Sequence, residues 1–441
     1  MTNFQIGLLV VFGIAAGVAV LVFSNIISIG GKSKTLTGEV VIWGTLPETA
    51  FQDAVSQFND DFRDVKVTYV EKNEATFTSE FVAALASRKG PDMVITPENL
   101  IFENQDKFIP IPLTSYPERT FKDTFVQEGE LFLAPEGILA LPIAINPMVM
   151  YWNRDILQSK GYVKAPTTWE DLTTFAQNVS KKDDKGNITT AAVALGDLTN
   201  VRYAKNILAL LFLGANEDII SRSATGNGKD TPIASVYSPA ISTDNDRGYA
   251  KSALEYFTQF SNPVSTAYSW NRALPNSRDM FTNETLAIYF GYPSEIDLIS
   301  QKNPHLNFDV APMPQIKNTQ KRATIGTVYG AAIVVGGTRV PLAFYLSQYL
   351  SANKFSSTFV PKIGMVSARR DIVSQKQSDA SRATFYDAAL IARGWFDVNT
   401  KATTKVFKDM VDGLVSGRYS STEAVNLGQV ELGKVLNPQS I

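Results

Sequence analysis

Cysteine is absent from the 441 residues. That excludes disulfides, thiol catalysis, thiolate metal sites and a lipid anchor built on an N-terminal cysteine. Histidine is nearly absent: His305 stands alone, so a multi-histidine metal site is excluded and a Ser-His-Asp arrangement would have to use it. It lies in Asn303-Pro304-His305-Leu306, the composition of a surface turn. An excess of either charge is also missing. The 41 Lys+Arg nearly balance 43 Asp+Glu, a net −2, and the signs are interspersed, which points to neither nucleic acid nor an anionic surface. No internal repeat is found. What the chain has in quantity is aromatic side chains, 11% of its residues, and length enough beyond its first segment for two packed lobes.

That first segment, Phe4 to Ile29, has no charged side chain; the first is Lys32. As a helix it reaches ~39 Å at 1.5 Å per residue, more than the ~30 Å hydrocarbon core of a bilayer. It carries no basic n-region and no convincing Ala-x-Ala cleavage pattern, so it reads as an uncleaved anchor rather than a removed signal. Residues 4–29 are therefore expected to meet the lipid bilayer, within an anchor at 1–31 and a linker at 32–37. Lys32 and Lys34 do not set its orientation, because large translocated domains override such charges.

Alternating strands and helices follow. Glu39 to Trp43 is a short buried-strand pattern ending at Gly44. Phe51, Ala54, Val55, Phe58 and Phe62 fall at helical spacing. Val65, Val67 and Tyr69 alternate as a second strand, Phe77, Phe81 and Leu85 mark a second helix, and Met93 to Ile95 a third strand. Such a series implies parallel strands with ligand at their carboxyl ends, here Thr45–Glu48 and Thr96–Asn99, where glycine permits close approach to a ligand. Leu139 to Trp152 reads as a strand crossing between lobes. Thr168 and Ser420 are expected helix caps, Lys181 to Asn187 a solvated turn, and Ser221 to Pro232 a surface loop.

Seven blocks, in order, carry a resemblance: Val40-Val41-Ile42-Trp43, Gly90-Pro91-Asp92-Met93-Val94, Leu141-Pro142-Ile143-Ala144, Met150-Tyr151-Trp152-Asn153-Arg154-Asp155, Pro166-Thr167-Thr168-Trp169-Glu170-Asp171-Leu172, Leu286-Ala287-Ile288-Tyr289-Phe290-Gly291 and Ala311-Pro312-Met313-Pro314. Over residues 38 to 435 the chain resembles the extracellular solute-binding proteins of ABC importers, in the carbohydrate-binding family that includes the maltose-binding protein. The resemblance implies an α/β, two-lobe fold of the periplasmic-binding-protein type II kind, with crossover hinge strands and solute held between lobes. It places the soluble part outside the cytoplasm, facing ABC transporter permease subunits. Lobe one is expected at 38–143 and 311–370, lobe two at 144–310 and 371–441. No cofactor and no metal are implied.

A sugar offers flat C–H faces edged by hydroxyls, so its site needs aromatic planes and fixed hydrogen-bonding groups. The expected ligand residues are Glu48, Glu98 and Asn99 at strand ends, Asn146 in the first crossing, the platforms Tyr292 and Tyr203, which the resemblance implies, and the further platforms Trp270, Tyr329 and Trp395. Truncating Tyr292 or Trp395 is expected to weaken binding without changing the melting point of the empty protein. Two other functions are weighed: a sensor that reports solute without import, and a membrane-anchored glycosidase pairing Glu48, Glu98 or Asp92.

Overall fold

The apolar stripes and alternations become the first five elements in order: β1 (Gly38–Gly44), α1 (Glu48–Asp61), β2 (Val65–Glu71), α2 (Phe77–Ala86) and β3 (Met93–Pro97). The structure, a computed structural model, describes residues 37–215, 218–225, 234–241, 249–337 and 339–437. The anchor expected over 4–29 lies outside them. Among the described residues no helix is long and apolar enough to cross a membrane.

α1 turns Phe51 and Phe58 inward, and Phe51 stacks on Tyr69 of β2 with ring centroids 4.0 Å apart. β2 and β3 flank β1 and run parallel to it, because each connection passes through a helix. α3 (Glu98–Glu103) begins directly where β3 ends. The freedom of Gly44 serves packing, not a ligand: a methyl group there would strike the Tyr69 ring. The Tyr69 hydroxyl donates to the Leu46 carbonyl at 2.6 Å and accepts its N–H at 3.1 Å.

β4 (Leu141–Pro147) is buried throughout, as is β5 (Val149–Asn153). Then come α4 (Trp169–Val179), β6 (Lys181–Lys182), β7 (Ile188–Val193), α5 (Ala204–Gly214), the hairpin of β8 (Ile220–Thr225) and β9 (Ala234–Pro239), α6 (Tyr249–Gln259), β10 (Leu286–Gly291) and β11 (Phe308–Ala311). β11, β5, β10, β7 and β6 make the second sheet in that order. β12 (Thr324–Ile333) returns to the first sheet, antiparallel between β4 and β3, and β13 (Val366–Ser367) edges β4. α7 (Ala380–Ile391) leads to β14 (Ala392–Arg393), which pairs with the start of β12. α8 (Thr400–Val415) and α9 (Ser421–Leu436) pack against each other and α6.

These pairings set where the chain passes between the sheets. β4 pairs in the first sheet as far as Pro147, so the chain crosses at Met148, within the crossing strand Leu139–Trp152 expected from sequence. Ala311 still pairs with Met150 of the second sheet, so the second crossing is 312–323. Met148 ties the two together: its N–H donates to the Ile325 carbonyl and its carbonyl accepts from Thr324 Oγ1, each at 2.7 Å. α7 packs on strands of both sheets, β4 and β12 of the first and β11 and β5 of the second, and β14 directly after it still pairs with β12 of the first sheet. The third crossing therefore falls between Arg393 and Thr400. The surface loop expected at Ser221–Pro232 is, over 221–225, a strand paired with β9; its remainder lies outside the described residues. The Lys181–Asn187 turn closes on itself, with Asp183 accepting from the N–H groups of Lys185 and Asn187.

Candidate functional site

A cavity of about 380 Å³ opens where the end of β3, the crossing strands, the start of α5 and the segment after β14 converge. Glu98, Asn99, Asn146, Tyr203, Tyr292, Tyr329 and Trp395 all line it. Glu98 and Asn99 form the first turn of α3, and β3 lies beside β12. Asn146, near the end of β4, donates from Nδ2 to Ser294 Oγ of the other lobe at 2.8 Å. Its Oδ1 accepts the Ser294 N–H at 3.4 Å. Asn99 Nδ2 likewise reaches across, to Thr400 Oγ1 at 3.0 Å.

The aromatic residues are held as firmly. Tyr203 precedes α5 with φ +60°, a left-handed conformation that costs a non-glycine residue and collects at functional sites. Its ring stands edge-on to Tyr292, centroids 4.6 Å apart. Asn206 Nδ2 donates to the Tyr292 hydroxyl at 2.6 Å, and the Tyr292 carbonyl accepts from the Tyr151 hydroxyl at 2.7 Å. Tyr329 sits where the register of β12 against β4 shifts, between Tyr329 and Gly330, an irregularity that re-aims a side chain. Trp395 stacks on Phe407 at 5.7 Å.

Two expected residues are elsewhere. Trp270 is 0% exposed and its Nε1 donates to Asn200 Oδ1 at 2.8 Å, so it is a core residue of the second lobe and not a platform. Glu48 is exposed at the start of α1. Its strand is one place further from the crossing strands than β3, which carries its helix start off the cavity.

The cavity also holds residues the sequence reading missed. Lys205 and Asp397 form a buried pair, Nζ to Oδ2 at 2.5 Å, and Lys205 Nζ also donates to the Thr403 hydroxyl at 2.6 Å. Burial pushes the Lys205 ammonium pKa down, against the pull of Asp397. One signal was there to find: Lys205 is the only charge in the apolar helix Ala204–Gly214. Asp397, Arg202, Ser294 and Thr400 carry no comparable signal, since tertiary structure alone brings them here.

Burial pushes the Glu98 carboxyl up to about 8. Asp397 and Glu74 add to the shift, and the Val328 N–H that donates to Oε2 at 2.8 Å opposes it. Glu128 is 1% exposed, and burial together with the Glu98 charge raises it well above the carboxylate range. The backbone N–H of Gly326 opposes that rise.

Two sheets joined by crossing strands around a polar, ring-lined cavity define a two-lobe α/β binding protein. Residues 53–341 match the family described as bacterial extracellular solute-binding protein, and the chain belongs to that family. The galactooligosaccharide-binding protein of Bacillus subtilis (strain 168) is 21% identical over 363 residues, 81% of this chain and 79% of its own. Two solved structures share the fold. The cyclic alpha-maltosyl-1,6-maltose binding protein of Arthrobacter globiformis covers 91% of this chain and 100% of its own, with TM-score 0.73 and 14% identity. The sugar-binding protein MalE of Xanthomonas citri covers 91% and 98%, with TM-score 0.72 and 15% identity. The chain is thus an extracellular solute-binding protein and not an enzyme. The glycosidase reading also loses one of its acids, since Glu48 is off the cavity.

Proposed function

We propose that the protein binds an oligosaccharide in the interlobe cavity and delivers it to an ABC importer permease. The observation that carries this reading is the convergence of Tyr203, Tyr292, Tyr329 and Trp395 with Asn99, Asn146 and Asn206 on one cavity. Ring faces match sugar C–H faces, and amides both donate to and accept from hydroxyls. The sugars in the names of the B. subtilis, A. globiformis and X. citri proteins support the same class. Residues 4–29 tether the receptor to the membrane, which raises its concentration near the permease.

A thermal-shift screen of sugars, polyols, amino acids and peptides tests the solute class. A ligand at ~100 times its dissociation constant adds ~2.7 kcal/mol to stability. An oligosaccharide is expected to give the largest rise; a rise with amino acids or peptides and none with sugars overturns the reading. For the tether, the full chain is expected in the membrane fraction and a chain starting at residue 37 in the soluble one.

A further inference from the structure

Acids around the cavity outnumber the cations left to face them once existing pairs are removed. Lys205 uses its three N–H donors on Asp397 Oδ2, the Thr400 carbonyl and the Thr403 hydroxyl, at 2.5, 3.2 and 2.6 Å. Arg202 pairs with Glu295 at 3.3 Å and lies 4.9 Å from the centre of the Tyr203 ring. Among the described residues these are the only cations lining the cavity, whereas Glu98 and Glu74 line it too. Glu98 is therefore left with a backbone N–H and no cation.

Glu128 deepens the imbalance. Its oxygens are buried, with the Gly326 N–H the one group drawing its pKa back down, and only two glycines separate it from the cavity. Gly326 and Gly394 line the cavity, and a methyl group on either would strike the Glu128 carboxyl. Two acids thus stand on one side of a cavity whose Lys205 has all its donors in use and whose Arg202 is ion-paired to Glu295, though its Nε makes no hydrogen bond.

We propose that the solute carries a positively charged amine among its hydroxyls, as an amino sugar or a short chain of them, and that its ammonium group seats against Glu98 beside Gly326 and Gly394. This rests on the sugar-binding reading above and adds the charge of the sugar. An ammonium brings three donors and the one charge the cavity lacks. The groups acting on Glu98 are Asp397 from the segment before α8, Glu74 from the loop after β2, and Glu128 beneath. Tyr292 and Tyr329, also within its field, stay neutral because burial raises both hydroxyls.

A carboxyl held near 8 is protonated at pH 6, so seating an ammonium ionises it and releases its proton. A neutral sugar has no such effect. Isothermal titration of the full-length chain at pH 6, in buffers of different ionisation enthalpy, separates the two. The probes are the glucosamine trimer, its N-acetylated counterpart and maltotriose. The glucosamine trimer is expected to bind about tenfold tighter than either neutral trimer and to release about one proton. In Glu98→Gln, with folding checked by its melting curve, that affinity ratio should fall toward one. Neutral trimers binding as tightly as the amine, a missing proton release, or a ratio that survives Glu98→Gln overturns the proposal while leaving sugar binding intact. Binding of no trimer at all removes the sugar reading and this proposal together.

Discussion

Tryptophan at two positions has two fates. Trp270 is sealed in the second lobe with its indole N–H satisfied, so Trp270→Ala removes packing and takes the indole donor from Asn200 Oδ1. It is expected to cost ~3–5 kcal/mol of stability in denaturant unfolding. Trp395 and Tyr292 line the cavity yet are only 7% and 4% exposed. Truncating them should therefore lower the melting point of the empty protein as well as weaken binding, contrary to the expectation from sequence. Glu98 and Glu128 make the empty protein sensitive to pH. Their folded pKa values are raised above an unfolded value near 4.5, so the folded state holds protons the unfolded chain has released. The contribution of these two groups to stability is then full below about pH 4.5 and declines as pH rises, toward about 8 for Glu98, at up to ~1.4 kcal/mol per pH unit for each group. Glu98→Gln is expected to flatten that decline in melting curves taken from pH 5 to 8; an unchanged slope would show that Glu98 is ordinary.

At the scale of elements, the pair that matters joins two helical segments far apart in sequence. Lys205 in α5 holds Asp397 and the first turn of α8, fixing the stretch that carries Trp395. Removing one partner strands the other in a buried site, so Lys205→Ala should cost ~3–5 kcal/mol. Adding Asp397→Ala should recover part of that loss, which a double-mutant cycle in urea measures. Most elements are legible without the structure. The stripes of α1 and α2, the alternation of β2 and the caps Thr168 and Ser420 are all local patterns, and both caps accept the N–H three residues on, from Asp171 and Glu423. β8 was not legible, because its strand character depends on pairing with β9 while its residues read as a loop.

In the whole molecule, that hairpin bridges the lobes. Arg222 donates to the carbonyls of Leu131 and Leu133 in lobe one and lies 4.3 Å from the centre of the Phe396 ring. The Tyr237 hydroxyl donates to Gln105 Oε1 at 2.9 Å. These bonds favour the arrangement in which the lobes face each other across the cavity, and solute binds that arrangement best. Arg222→Ala is expected to reduce solute affinity several-fold by lowering its population, with a larger radius of gyration in solution scattering. Unchanged affinity and radius would place the hairpin outside lobe closure. Sequence alone determined the alternating α/β order, the strand end that supplies Glu98 and Asn99, and the apolar first segment, because each is written in spacing between near neighbours. Tertiary structure decided that Trp270 is core, that Glu48 is off the cavity, and that Lys205, Asp397 and Glu128 surround it. Burial and pairing depend on residues far apart in the chain, 192 positions for Lys205 and Asp397 and 301 for Asn99 and Thr400, and no local pattern encodes such a meeting.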